Sequence, residues 1–193
     1  MTQGRPRRAA PLRGQGPAGG DPAAGIRADG HDEVDRIVTA WRRERPDLDV
    51  GPLRVLSRVS RLARHLDRRR TAVFARHHLE GWEFDVLSAL RRSGSPYQLS
   101  PGRLMAETMV ASGTITNRID RLQARGLVVR LPDPADGRGV MARLTPEGRR
   151  LVDMALAGLL EWEHELLGRL DATERDALAG LLKRLVIGFD RLR

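Results

Sequence analysis

Thr114, Asn117 and Arg121 stand three and four residues apart. At about 100° per residue, that spacing places them on one side of a helix. A hydroxyl, an amide and a guanidinium are the groups that bond base edges and phosphates in the major groove of duplex DNA. Ile115, Ile119 and Leu122 form an apolar stripe on the other side and would dock the helix onto a core. A merely solvated helix more often carries Glu and Lys on its outer face; Asp120 is the one acid there. Ser112, in the preceding turn, and Thr116 add hydroxyls to this candidate DNA-binding set. Further on, Asp136-Gly137-Arg138 lies in a turn-rich stretch. An arginine on a slender loop suits the narrow minor groove, whose negative potential attracts it. Asp136 is spaced to hold Arg138 by a charge-assisted hydrogen bond.

These groups need a frame, and the pattern predicts one that is mainly α. Residues 32–45 and 52–76 read as amphipathic helices separated at Pro46. A third helix runs from Glu80 to Arg92, with Val86, Leu87 and Leu90 on its core side. Ser100-Pro101 provides an N-cap and a first-turn proline for a short helix to about Met109. Val110-Ala111-Ser112-Gly113 reads as the turn before a helix from Thr114 to Arg125, which Gly126 stops. Two helices joined this way form a helix-turn-helix. Two strands, Leu127–Leu131 and Val140–Leu144, flank the loop that carries Arg138, which makes a β-hairpin wing. A helix from Thr145-Pro146-Glu147 to about Leu170 and another from Asp171 to about Leu192 close the chain. Asp171-Ala172-Thr173-Glu174 approximates a capping box. The expected organisation is a disordered basic tail over 1–30, a winged helix-turn-helix lobe over 77–145, and dimerisation helices over 31–76 and 146–193.

Composition narrows the function. Among 193 residues, 34 Lys and Arg outweigh 25 Asp and Glu, for a net charge of +9. That balance favours nucleic acid or an acidic membrane surface as partner. Lys183 is the only lysine, and an arginine bias also follows from genome composition, so charge alone does not decide. The basic, amphipathic 54–70 helix keeps a membrane-surface reading in play. Absence of cysteine excludes disulfide scaffolds, thiolate zinc sites and thiol chemistry. No apolar run approaches the ~18 residues of a membrane span, and the arginine-bearing N-terminus lacks a signal's apolar segment. A soluble cytoplasmic protein is expected. His31, His65, His77, His78 and His164 are scattered, with no nucleophile, metal or phosphate-loop motif around them. Neither enzymatic activity nor a cofactor nor a metal is expected.

The segments SGTITNRIDRLQARGLV, PDPADGRG and RLTPEGRRLV resemble the MarR family of winged-helix regulators. The likeness covers most of 33–192. It implies homodimers that bind palindromic operators, usually as repressors, and release DNA when a small ligand binds. The family's wing usually reads Asp-Arg-Arg; here Gly137 takes the middle place. The chain further resembles a urate-responsive subgroup with an extra N-terminal helix. That resemblance implies a pocket of Trp41, Asp85, Arg92 and Arg118. Arginine forks and an aromatic face suit a planar anion such as urate. Asp85 and Arg92 are seven residues apart, hence on one helix face about 10 Å from each other. The same residues also fit a packing role for Trp41 and an ion pair of Asp85 with Arg92 or Arg118. A phenolic or other organic anion, or a ligand-independent architectural DNA binder, are the competing readings.

Overall fold

A computed structural model of the chain describes residues 30–133 and 139–190. The tail expected over 1–30 lies outside the described residues except for Gly30, and the wing residues Asp136 and Arg138 lie outside them too. The chain divides into two compact units, Met1–Ala63 and Arg64–Arg193.

The first unit holds α1 (Glu33–Glu44) and the first half of α2 (Leu53–Ala75). Asp32 caps α1: its carboxylate accepts from the Val34 and Asp35 amides, and the Asp35 carboxylate accepts from the Asp32 amide. Three of the helix's orphan N-terminal groups are thereby engaged. Val34, Val38 and Val50 are buried together, with Leu53 packed against them. The arginines at the start of α2 answer the acids of α1. Arg58 donates to Asp32 at 2.8 and 2.9 Å and pairs with Asp35 at 2.8 Å, while Arg61 pairs with Glu33. The Arg58 guanidinium holds both aspartates below the usual carboxylate range.

The second unit continues with α3 (Gly81–Arg92), β1 (Gln98–Leu99), α4 (Pro101–Thr108), α5 (Ser112–Ala124), β2 (Val128–Pro132), β3 (Val140–Leu144), α6 (Pro146–Leu167) and α7 (Ala172–Asp190). Its core is one cluster. Phe74 stacks on Phe84 at 4.2 Å, beside Val86, Leu87 and Leu90 of α3 and Leu104 of α4. Ile115, Ile119 and Leu122 enter it from α5, all at most 2% exposed. At ~1.5–3 kcal/mol per buried aliphatic side chain, this stripe alone fixes which face of α5 points outward.

The wing is a three-stranded antiparallel sheet in the order β1-β3-β2, not a plain hairpin. Gln98 and Val129 flank Arg143 on the two sides of β3. Two further expectations are corrected. The helix expected from Thr114 starts at Ser112, because the Ala111 carbonyl already accepts from the Thr114 and Ile115 amides. Gly113 therefore sits inside the first turn, and the reversal between α4 and α5 is made by Met109, whose φ is 53°. At the far end, Gly126 adopts φ +70°, and the Leu127 amide reaches back to the Leu122 carbonyl at 3.0 Å. That left-handed terminator is the one the sequence implied.

Gly148 is needed for a different reason. A Cβ there would meet the Leu127 carbonyl oxygen at 2.1 Å. Thr145 caps α6 by accepting from the Gly148 amide and also donates to the Gly126 carbonyl. The start of α6 is thus pinned against the end of α5. Val152, Ala155 and Leu159 of α6 complete the lobe's core. In α7, Asp171 and Glu174 form the reciprocal cap, at 2.9 Å each way.

Candidate nucleic-acid interface

The outward side of α5 carries Ser112, Thr114, Thr116, Asn117 and Arg121, all exposed. The Thr116 hydroxyl lies 3.5 Å from the Ser112 carbonyl. Thr114 and Asn117 have no side-chain partner among the described residues, so their donors and acceptors face solvent. Asp120, the acid among these groups, is engaged by Arg130 of β2 at 2.5 Å, which ties the helix to the sheet.

Arg121 is held in place by contacts within the chain. It donates to Glu80, just ahead of α3, at 2.8 Å. Its guanidinium also lies 4.6 Å from the centre of the Trp82 ring. The Trp82 indole donates to the same Glu80 carboxylate at 2.6 Å. These two bonds, the indole's first, hold Glu80 below the usual carboxylate range. Arg118, half-buried between the apolar and outward faces of α5, lies 5.4 Å from the same ring. One indole thus supports two arginines of α5.

A second tie fixes the C-terminal end of α5. Arg125 donates to Glu83 at 2.6 Å and to the His78 carbonyl at 2.8 Å. Glu83 is 2% exposed and also accepts from the Glu80 amide. The sequence reading missed Glu80, Trp82, Glu83 and Arg125. Trp82 was findable, because it stands three residues before Asp85 and shares its helix face. The Glu–Arg pairs span more than forty residues of chain and leave no local signal.

The four residues assigned to a ligand are distributed as follows. Trp41 belongs to the first unit and is 49% exposed. Asp85 is paired with Arg70 at 3.9 Å and lines a cavity of about 350 Å³ with Trp82 and Phe74. Arg92 is paired with Glu107 at 3.5 Å and lines a different cavity of about 290 Å³ with Arg103 and Leu99. Arg118 touches the first of these cavities only through Trp82. Asp85 and Arg92 share an exposed face, as their spacing required, but pair with other residues and not with each other. Among the described residues no cluster of acids and histidines is arranged to hold a metal ion, and no helix is long and apolar enough to cross a membrane.

Comparison with known proteins agrees with this architecture. Residues 77–139 match the MarR family. The chain is 39% identical over 153 residues to the HTH-type transcriptional regulator PecS of Dickeya dadantii, covering 79% of this chain and 92% of PecS. Among solved structures, a mutant MarR from E. coli complexed with operator DNA superposes with a TM-score of 0.59 at 28% identity, over 72% of this chain and 99% of that one. Bordetella bronchiseptica BpsR, whose DNA binding is regulated by 6-hydroxynicotinic acid, superposes with a TM-score of 0.52 at 32% identity, over 67% and 98%. These relatives are regulators of transcription, not enzymes. With its helix-turn-helix, its three-stranded wing and the polar outward face of α5, the chain belongs to the MarR family of winged-helix transcriptional regulators.

Proposed function

We propose that the chain is a homodimeric repressor that grips a two-fold-symmetric operator and releases it when a small planar anion, urate or a close purine relative, binds each lobe. The observation that carries the DNA-binding half is the division of α5. Ile115, Ile119 and Leu122 are locked in the core while Thr114, Asn117 and Arg121 face outward. In this reading those three side chains read bases, Ser112 and Thr116 assist at the backbone, and Arg138, oriented by Asp136, enters the minor groove. Half-sites would lie about one helical turn apart.

Dimerisation is supported by α7. Leu178, Leu181, Leu182, Leu185, Val186 and Ile187 are each 37–57% exposed. A contiguous aliphatic helix face of this kind marks a surface that another surface covers. In a symmetric dimer the same helix of a second copy covers it. Leu159 of α6, by contrast, lies in the lobe's own core.

The ligand half rests on the family likeness and on the Trp82 linkage. Trp41, Asp85, Arg92 and Arg118 are proposed to hold the anion, Asp85 and Arg92 exchanging Arg70 and Glu107 for it. Arg118 and Arg121 share one indole, so a ligand that draws on Arg118 disturbs the surface on which Arg121 rests. The control of BpsR by a small heteroaromatic acid supports this class of ligand. A coupling of about 1–3 kcal/mol lowers DNA affinity roughly 5- to 150-fold. The test is a DNA titration with and without urate. Wild type loses affinity in urate, whereas Arg92→Ala binds DNA normally and ignores urate. If urate leaves wild type unchanged, or releases both proteins equally, this sensor is rejected and the DNA-binding half still stands.

A further inference from the structure

A large cleft of the second unit has no part in the proposals above. Its volume is about 1060 Å³, at the upper end of the roughly 300–1,000 Å³ typical of small-molecule sites. It lies between the loop before β1, the outer face of β3 and the first turns of α6. None of its lining residues belongs to α5, and none is Trp41, Asp85, Arg92 or Arg118.

Its floor is apolar, formed by Val129, Pro146, Met154 and Ala157. Its charged groups are Arg143, Arg149, Arg150 and Asp153. Two of these are neutralised locally. Arg150 pairs with Glu147 at 2.6 Å, and Asp153 accepts from Arg91 at 2.8 Å. Arg143 and Arg149 have no carboxylate partner among the described residues. Arg143 is half-buried, and its neighbours Ala142 and Leu144 turn into the core. The alternation along β3 therefore stands Arg143 on the opposite face of the sheet, toward the cleft. The Arg149 guanidinium lies 5.3 Å from the Tyr97 ring centre, and Arg91 lies 4.9 Å from the same ring. Tyr97 holds its position with φ at 61°, a conformation unfavourable for a bulky residue. Its carbonyl is tied to the Leu144 amide at 3.0 Å.

We infer that this cleft is a second ligand site, which takes an organic anion with an apolar aromatic body. Its carboxylate is held by Arg143 and Arg149, and its ring lies on the apolar floor beside Tyr97. A half-buried guanidinium without a counter-charge is costly, and an incoming carboxylate relieves that cost. An apolar floor beneath two arginines suits an aryl carboxylate better than a bare inorganic ion, which would gain nothing from it. A DNA phosphate would likewise leave the floor unfilled.

Tyr97 is the chain's only tyrosine. Full-length protein labelled with ring-13C tyrosine therefore gives one set of ring signals, and they report on this cleft. The probe is 2-naphthoate, compared with inorganic phosphate at matched ionic strength. Naphthoate shifts the Tyr97 signals saturably and phosphate does not. Arg143→Gln and Arg149→Gln each weaken naphthoate binding about tenfold, the loss of one charge-assisted hydrogen bond. Met154→Trp fills the floor without removing either guanidinium and abolishes the shift, while Arg92→Ala leaves it intact. Circular dichroism confirms that each variant is folded. The proposal is overturned if naphthoate leaves Tyr97 unmoved, if phosphate moves it equally, or if the arginine variants bind naphthoate like wild type. It is also overturned if both arginine variants lose duplex DNA binding as severely as Arg121→Ala, because the cleft would then be a backbone-phosphate contact.

Discussion

Arg121 on the outward face of α5 is hydrogen-bonded to Glu80 at 2.8 Å, so the cation proposed to read bases already has a protein partner. Trp82 closes the arrangement by bonding Glu80 and lying under Arg121. This contact positions the guanidinium, and on the proposed function it would compete with DNA for it.

Glu80→Gln removes the competing charge and leaves an acceptor in place. Duplex DNA affinity is expected to rise about two- to fivefold, the scale of an exposed ion pair. Fluorescence anisotropy with a labelled duplex measures it. A fall in affinity would mean that Glu80 serves mainly to orient Arg121 rather than to restrain it.

The same pair has a defined pH response. Glu80 titrates below the usual carboxylate range because Trp82 and Arg121 bond its ionised form. A depressed carboxylate pKa keeps the contact intact at neutral pH and loses it only as pH falls through the lowered value. The Glu80 carboxyl signal in an NMR titration should move below the range of an ordinary glutamate. In Arg121→Ala it should return toward that range without reaching it, since the Trp82 bond persists.

Helix α5 was legible in the sequence because its information is local: Ile115, Ile119 and Leu122 recur with helical period, and Gly126 ends the run. The capping residues Ser100, Thr145 and Asp171 were legible for the same reason, a side chain acting within three residues of itself. What was lost is non-local or very short. β1 has two residues and pairs with β3 across more than forty positions, too little for a periodicity to register. Gly113 suggested the turn that Met109 makes, because glycine is the usual left-handed residue and a methionine at φ 53° is not. The ligand set came from a family likeness, and the pairings of Asp85 with Arg70 and of Arg92 with Glu107 were not encoded in any spacing.

Gly148→Ala tests the pinning of α6 against α5. The new Cβ would lie 2.1 Å from the Leu127 carbonyl oxygen, which is backbone and cannot swing away. A loss of about 2 kcal/mol or more is expected in urea denaturation, toward the upper part of the range for overpacked sites. Gly113→Ala meets nothing within 4 Å and should gain up to ~1 kcal/mol from helix propensity.

Arg125→Met tests the tie at the C-terminal end of α5. It strands the Glu83 carboxylate, 2% exposed, without its cation. Breaking one side of a fully buried pair costs about 3–5 kcal/mol, and because the Arg125 side chain is 36% exposed the loss here should fall below that range. The double variant Glu83→Gln with Arg125→Met should recover much of that loss, which equilibrium unfolding of the single and double variants measures. Equal stability of all three proteins would mean that solvent reaches Glu83 freely.

The account's central claim is that the outward face of α5 reads DNA sequence. Its most direct test is selection of duplexes from a random pool by wild-type protein, followed by binding of the selected and scrambled duplexes by wild type, Asn117→Ala and Arg121→Ala at one fixed salt concentration. The account predicts a selected site with two-fold symmetry. Each substitution should weaken binding to the selected site by about 1–3 kcal/mol, with smaller effects on the scrambled duplex. Selection of no common site, or variants that bind the selected duplex as tightly as wild type, would contradict it.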